Sequence, residues 1–212
     1  MAVTYDYIRQ PAEIYRQSFA IVQAEAGLDR LPPEADMEAV ATRLIHACGM
    51  VDVVDDLAFS PGAVAAGKAA LQRGAAVFCD VEMVRSGIIA SRLPANNDLI
   101  CTLNDASVPD HAKTIDNTRS AAAVDFWDGL DGAVVAIGNA PTALFRLLEN
   151  IDRQGIKPAL VIGLPVGFVG AAESKEALAE FGGDLEFITV HGRRGGSAMA
   201  SAVVNALAAG LD

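Results

Sequence analysis

Residues 132–154, GAVVAIGNAPTALFRLLENIDRQ, decide the fold class. Their first part, GAVVAIG, is a short apolar run rich in β-branched residues, which is typical of a strand buried on both faces. A short loop follows, and a helical pattern then runs from Ala140 to Gln154. A buried strand that leads into a helix predicts one unit of a parallel sheet.

The same alternation extends along the rest of the chain. Further strands are predicted at AAVFCD (75–80), DLICTL (98–103), PALVIG (158–163) and LEFITV (185–190). Further helices are predicted over Pro11–Ala26, Pro33–Cys48, Pro61–Gln72, Glu82–Ser91, His111–Trp127, Ser174–Phe181 and Ser197–Ala209. We therefore predict an α/β fold, a single domain over residues 1–212, whose mainly parallel sheet is flanked by helices on both faces. In the first helix, Ile14, Ile21 and Val22 should face inward, with Ser18 on the same side.

Composition and charge exclude several classes of protein. Hydrophobic residues make up 52% of the chain and charged residues 20%, which is incompatible with intrinsic disorder. No apolar run approaches the ~20 residues of a membrane-spanning helix. The net charge of −11, without a basic stripe, argues against nucleic acid as a partner. The three scattered cysteines predict neither disulfides nor a metal site, and the N-terminus lacks a secretory pattern, so we expect a cytoplasmic protein.

Ligands of such sheets bind where the strands end and the loops enter the helices. One of these loops is VHGRRGGSAM (190–199). This loop suits carboxylates or phosphates, because its glycines, Gly195 and Gly196 among them, can turn backbone N–H groups toward a ligand and the helix start at Ser197 favours negative charge. The guanidinium groups of Arg193 and Arg194 can each bind such an anion. A tight turn with solvated arginines is the alternative. The spacing fits neither a P-loop nor a dinucleotide-binding loop.

Two other loops and one helix carry further candidates. Asn139 and Thr142 lie in the loop after the 132–138 strand, which is otherwise an ordinary strand-to-helix turn. The loop 162–175 contains apolar residues and either packs under the sheet edge or lines a pocket for a large apolar ring. Arg119 projects from an alanine-rich helix and needs an acidic partner or an anionic ligand.

His46 is the best candidate acid or base, although a packed or capping histidine is the alternative. The C-terminus of its helix favours the imidazolium and raises the pKa, whereas Arg43 one turn away opposes this. His111 reads as a solvated helix-start residue, and His191 as either a ligand contact or a surface residue. Asp80 more often caps the following helix than carries protons. Together, arginines, backbone N–H groups, one histidine and apolar loops suit a large, partly apolar polyanion.

Across nearly its whole length the chain resembles the precorrin-8X methylmutase family of cobalamin biosynthesis. The matching segments, in the family's order, are YDYIRQPAEIYRQSFAI (5–21), RLIHACG (43–49), FSPGAV (59–64), NTRSAAA (117–123), VVAIGNAPTALFRLLE (134–149), PVGFVGAAESK (165–175) and GRRGGSAM (192–199).

The resemblance implies an isomerase that moves the C-11 methyl group of precorrin-8X to C-12 and gives hydrogenobyrinate. Such a sigmatropic shift requires neither a redox cofactor nor a metal. By resemblance, His46 is the catalytic proton donor and acceptor, and Ser18 and Arg43 bind substrate. The further substrate-binding candidates are Arg119, Asn139, Thr142, Arg193, Gly195, Gly196 and Ser197. A homodimer with pockets near its interface, and tight binding of the product, are also implied.

Two positions depart from the family's pattern: Asp116 stands where a glycine is expected, and His191 stands where an arginine is expected. The HACG and FVGAAESK segments look more like the metal-free branch of the pathway than the branch that uses cobalt-precorrin-8. A non-catalytic tetrapyrrole carrier is one rival interpretation. A nucleotide-dependent oxidoreductase is another, against which the absent dinucleotide-binding motif argues.

Overall fold

The protein folds around one six-stranded sheet. This computed structural model describes residues 3–33, 36–181 and 185–211. The strands are β1 (Leu57–Phe59), β2 (Val77–Cys79), β3 (Leu99–Ile100), β4 (Val134–Ile137), β5 (Leu160–Gly163) and β6 (Phe187–Val190). Their order across the sheet is β1-β6-β5-β4-β2-β3. All neighbours run parallel except β1, which pairs antiparallel with β6, so the prediction of a mainly parallel sheet is confirmed.

Helices cover both faces of this sheet. They are α1 (Pro11–Glu25), α2 (Glu38–Cys48), α3 (Ala63–Gln72), α4 (Glu82–Gly87), α5 (Val108–Thr114), α6 (Arg119–Val124), α7 (Pro141–Gln154), α8 (Ala171–Glu180) and α9 (Ser197–Ala209). Val134 and Ala136 of β4 belong to the core under α2, α3, α4 and α9, whereas Val135 and Ile137 belong to the core under α7 and α8. Alternate side chains of a strand point to opposite faces, so a continuous apolar run can fill both cores.

Several predicted boundaries were wrong. Strand β1 was not predicted, because it is three residues long and only half-buried. The helix predicted over His111–Trp127 is two helices, since Asp116 between them has a left-handed backbone with φ of 48°. Helix α8 begins at Ala171 instead of Ser174, and α2 begins at Glu38 instead of Pro33. Residues 34 and 35 of that predicted helix, like 1, 2, 182–184 and 212 of the predicted domain, lie outside the described residues.

The inward face predicted for α1 was also partly wrong. Val22 is buried, but Ile14 and Ile21 are exposed, and Phe19 is buried in their place. The helix therefore turns a tyrosine–serine–phenylalanine side toward α2 and leaves isoleucines at the surface.

The strand order brings the strand-to-helix loops together at one edge. The chain moves from β2 outward to β3 and then returns to β4 on the other side of β2, so the direction of winding reverses between β2 and β4. The loops after β2, β4, β5 and β6 meet at the carboxyl edge around this reversal, where α/β proteins bind ligands. Among the described residues, no helix combines the length and apolarity needed to cross a membrane.

Candidate functional site

A histidine–serine pair lies between α1 and α2. Ser18 Oγ and His46 Nδ1 are 2.7 Å apart and form a hydrogen bond, although they are 28 residues apart in sequence. The rings of Tyr15 and Phe19 flank the imidazole at centroid distances of 5.4 and 5.3 Å. Because Nδ1 is engaged by the hydroxyl, Nε2 is the ring nitrogen left to exchange a proton with a ligand.

The surroundings of His46 favour the neutral imidazole. Partial burial lowers the pKa of His46, and the positive charge of Arg43 lowers it further. The upward shift expected from the helix C-terminus is not observed, because the net shift of this pKa is downward. When protonated, this imidazolium is a stronger acid than an ordinary histidine.

His46 borders a cavity of about 520 Å³ between α2, α4 and α9. Arg43 and Ser197 line the same cavity, so the structure brings three candidate residues together there, and Ser18 joins them through its bond to the imidazole. Arg43 is 6% exposed, and its Nε donates a hydrogen bond to the Gly210 carbonyl. The carbon of its guanidinium lies 5.4 Å from the centre of the Phe19 ring. The cavity is thus cationic at one wall and largely apolar elsewhere.

Asp80 fixes the loop that follows β4. Its carboxylate, only 2% exposed, accepts hydrogen bonds of 2.9 Å from the backbone N–H groups of Gly138, Asn139 and Ala140. Burial raises the pKa of this carboxyl, and the three N–H donors oppose the shift. The prediction that Asp80 caps its own following helix was wrong, because its bonds cross from β2 to the loop after β4.

This fixed loop lies directly against the start of α9. A Cβ atom on Gly138 would lie only 2.8 Å from the Ser197 Cα and would clash with it, so this close approach requires glycine. Asn139 is exposed beside this contact, and its backbone, not its side chain, makes the bond to Asp80. Asn139 is therefore next to the wall of the His46 cavity without lining it.

The glycine–arginine loop is bonded to the loop after β5. The Gly196 N–H donates to the Leu164 carbonyl at 2.8 Å, and Gly195 approaches that carbonyl so closely that a Cβ would be 2.4 Å from its oxygen. Lys175, which is fully buried, donates from Nζ to the Arg194 carbonyl at 2.6 Å. Burial lowers the Lys175 pKa to about 8, which Asp56 partly opposes. A buried ammonium and two glycines therefore define the shape of this loop.

The two arginines of this loop have different roles. Arg194 pairs with Asp52 at 2.8 Å and with Asp56, so it serves the fold. Arg193 is exposed, and its guanidinium lies 5.4 Å from the centre of the Phe168 ring. Arg194 is therefore committed to two aspartates of the protein, and anion binding by Arg193 stays a prediction.

Arg119 and Thr142 lie apart from His46. Arg119 lines a second cavity of about 670 Å³ with Asn117 and Thr118, and its Nη2 donates to the Leu103 carbonyl at 3.2 Å. Thr142 joins this group through a 2.8 Å hydrogen bond between its hydroxyl and that of Thr118. Arg119 and Thr142 are therefore grouped at a second cavity, separate from the one that His46, Arg43 and Ser197 line.

The other histidines do not join the site. His111 was predicted to be solvated, which was wrong: its Nε2 is 2.7 Å from an Asp125 carboxylate oxygen. His191 has an exposed side chain, and its backbone N–H donates to the Asp56 carbonyl. Within the described ranges, no three His, Cys, Asp or Glu side chains are grouped so as to hold a metal ion.

Sequence reasoning missed four functional features of this region: the flanking rings of Tyr15 and Phe19, the Asp80 bonds, the Lys175 bond and the Arg193–Phe168 contact. Only the first had a local signal, since residues four apart on a helix share a face with Ser18 between them. The others link segments that are far apart in sequence.

Comparisons with known proteins agree on one family. A family model described as precorrin-8X methylmutase matches residues 13–209. The precorrin-8X methylmutase of Pseudomonas aeruginosa is 62% identical over 96% of this chain and 97% of its own. The enzyme of the same name from a Sinorhizobium species is 54% identical, over 96% and 97%. A cobalt-precorrin-8 methylmutase from Salmonella typhimurium is 39% identical, over 95% and 96%.

A solved structure supports the same relationship. The precorrin-8x methyl mutase from Thermus thermophilus superposes with a TM-score of 0.82 at 41% identity, covering 92% of this chain and 94% of that one.

Proposed function

The chain belongs to the precorrin-8X methylmutase family, and from this premise we propose that His46 transfers the proton in its reaction. The activity is an isomerisation in cobalamin biosynthesis, in which the C-11 methyl group of precorrin-8X moves to C-12 to give hydrogenobyrinate. The metal-free substrate is favoured because the relatives named for it are 62% and 54% identical, against 39% for the Salmonella relative named for the cobalt compound.

The observation that carries the role of His46 is its 2.7 Å bond to Ser18 at the edge of a cavity that Arg43 and Ser197 also line. With Nδ1 bonded to the hydroxyl, the imidazolium form of His46 can donate its Nε2 proton to the conjugated ring system of the substrate and become the neutral imidazole. Protonation polarises that system and lowers the barrier to methyl migration, and a positioned general acid typically contributes ~10²–10⁴-fold. After the methyl shift the proton returns to Nε2 of His46, which restores the imidazolium and leaves the isomerisation without a net change in protons.

The remaining candidates serve binding in this proposal. The peripheral acetate and propionate groups of the substrate need cationic and N–H partners. Arg43 and Ser197 are suited to one side of the macrocycle, with Arg193, Gly195, Gly196 and Asn139 at the loops beside them. Arg119 and Thr142 are suited to a more distant carboxylate. Holding the macrocycle in a reactive conformation supplies the rest of the rate enhancement.

We further propose a homodimer that binds its product tightly and works in the cytoplasm. The free thiols of Cys48, Cys79 and Cys101 are in keeping with a reducing compartment. Exposed apolar side chains on α1 beside His46 are in keeping with a second copy covering that side.

The test is to incubate the purified protein with precorrin-8X and follow the visible spectrum. We expect wild type to produce the hydrogenobyrinate spectrum and His46→Ala to lose at least ~10²-fold in rate. His191→Ala, which removes an exposed histidine outside both cavities, is the matched control and should retain full activity. Full turnover by His46→Ala would refute the proton-transfer role. Binding without conversion by wild type would identify a carrier, and faster conversion of cobalt-precorrin-8 would assign the protein to the cobalt branch.

A further inference from the structure

A large aromatic side chain stands in solvent beside the site. Phe168 is 85% exposed, although burying a phenylalanine ring is strongly favourable. It lies in the 165–170 loop, between Gly167 and Gly170, whose φ angles of 148° and 77° favour glycine. The chain therefore uses two glycines to present this ring at the carboxyl edge of the sheet.

The Phe168 loop is bonded to the loop that precedes Ser197. The Gly167 N–H donates to the Arg193 carbonyl at 3.3 Å, and the Gly196 N–H donates to Leu164 at 2.8 Å. On its other side, Gly170 packs against Pro141, at the start of α7. The loop that carries the exposed ring is thus held between the start of α7 and the loop whose end lines the His46 cavity.

Arg193 completes this group, because its guanidinium lies 5.4 Å from the centre of the Phe168 ring. An aromatic face next to a cation matches a ligand that has a large flat apolar body and carboxylates at its rim. The chain as a whole has a net charge of −11, so the exposed arginine provides a local positive charge at this edge. Such a charge attracts a carboxylate.

Resting on the proposed function, we infer that Phe168 is a substrate-binding residue: its ring packs against the face of the tetrapyrrole while Arg193 pairs with a carboxylate at the rim. The ring is exposed because the ligand, and not the protein, covers it. The sequence analysis allowed the 162–175 loop to line a pocket for a large apolar ring, and Phe168 is the residue of this loop that would contact that ring.

The test measures binding of hydrogenobyrinate through its absorption spectrum, together with turnover of precorrin-8X. Phe168→Ala should weaken product binding about three- to tenfold, in line with the loss of one aromatic contact, and raise KM more than it lowers kcat. Phe168→Tyr should retain most of the affinity. Val169→Ala is the matched control, because Val169 is 89% exposed in the same loop and offers no ring, and it should change the affinity less than twofold.

The dependence of affinity on salt concentration distinguishes the contribution of Arg193 from that of Phe168. Arg193→Ala should flatten the decrease of affinity with ionic strength, whereas Phe168→Ala should leave that slope unchanged. In the double variant the losses should be less than additive, since the two side chains touch.

Wild-type affinity in Phe168→Ala, with wild type still active, would overturn this inference alone. Absence of both binding and turnover in wild type would instead defeat the proposed function. A change in sedimentation of Phe168→Ala without a change in product affinity would also overturn the inference, because the ring would then contact a second copy of the chain.

Discussion

At the scale of single residues, the Ser18–His46 bond engages Nδ1 and, in the proposed mechanism, leaves Nε2 to face the substrate. We expect Ser18→Ala to lower kcat about 10- to 100-fold, because the ring loses its orientation while the acid itself remains. The ¹⁵N shifts of His46 should report mixed tautomers in the variant and a single tautomer in wild type. Ser107→Ala, at an exposed serine outside the site, is the control. Unchanged kcat in Ser18→Ala would show that the flanking rings alone orient His46.

Asp116 is the second informative residue. The family resemblance led us to expect glycine there, and the backbone gives the reason, since φ is 48°. Aspartate tolerates this region and β-branched residues do not, so Asp116→Val should lower the free energy of unfolding by about 1–2 kcal/mol. Asp116→Gly should be at least as stable as wild type. Urea unfolding measures both, with Asp128→Val as the exposed control. Equal stability of Asp116→Val and wild type would contradict the argument.

At the scale of elements, one carboxylate joins α5, α6 and α7. Asp125 accepts two hydrogen bonds of 2.7 Å from Arg146, one of 2.9 Å from Asn150, and contacts His111. Burial raises the pKa of Asp125, but these partners outweigh burial and hold the pKa well below its ordinary value. We expect Asp125→Asn to lower the free energy of unfolding by about 2–4 kcal/mol at pH 7.

The pH dependence has a definite sign. A carboxyl whose pKa is lower in the folded state stabilises the fold above its unfolded pKa, and that contribution is lost as the pH falls below about 4. The difference between wild type and Asp125→Asn, followed by urea unfolding, should therefore shrink as the pH falls from 5 toward 2. Asp110→Asn, which removes an exposed pair with Lys113, should leave the midpoint unchanged. A constant difference across this range would show that packing, and not charge, is lost in Asp125→Asn.

The sequence predicts an element of this fold well when the element is fully buried, and poorly when it is short, exposed or ended by a single residue. The central strands were found because they are buried on both faces, which makes the apolar run continuous. The edge strand β1 has no such run, and the break at Asp116 is set by one φ angle within an otherwise helical pattern. The periodicity of apolar residues therefore does not reveal an exposed edge strand or a helix break that is set by one backbone angle.

Some residues of the candidate site could likewise be predicted from the sequence, and others could not. His46 was a candidate from the sequence itself, the family resemblance added Ser18 and Arg43 as substrate-binding positions, and the packing of α1 against α2 places Ser18 beside His46. The role of Asp80 was not found, because its donors are backbone N–H groups 58 to 60 residues away, which no side-chain motif marks. Similarly, Arg194 looked equivalent to Arg193 until the fold brought Asp52 and Asp56 to it.

At the scale of the whole molecule, the apolar surface on α1 has to be reconciled with a chain of net charge −11. Ile14 and Ile21 are 45% and 54% exposed, and they line a further cavity of about 400 Å³ together with Ser18 and His46. Exposed apolar side chains in this position are in keeping with the proposed homodimer. A second copy of the chain placed there would bury the isoleucines and enclose the open side of the imidazole.

This arrangement predicts that assembly and turnover are linked. Wild type should sediment at twice the chain mass of 22.0 kDa, and Ile21→Glu should dissociate it, because the interface would then bury an unpaired charge. Turnover of Ile21→Glu should fall with dissociation and recover as the protein concentration rises, since mass action restores the dimer. Val169→Glu, which changes an exposed apolar residue on the loop after β5, should leave the sedimentation unchanged. A wild-type monomer with full specific activity at all concentrations would contradict the dimer, and the α1 surface would then serve the substrate directly.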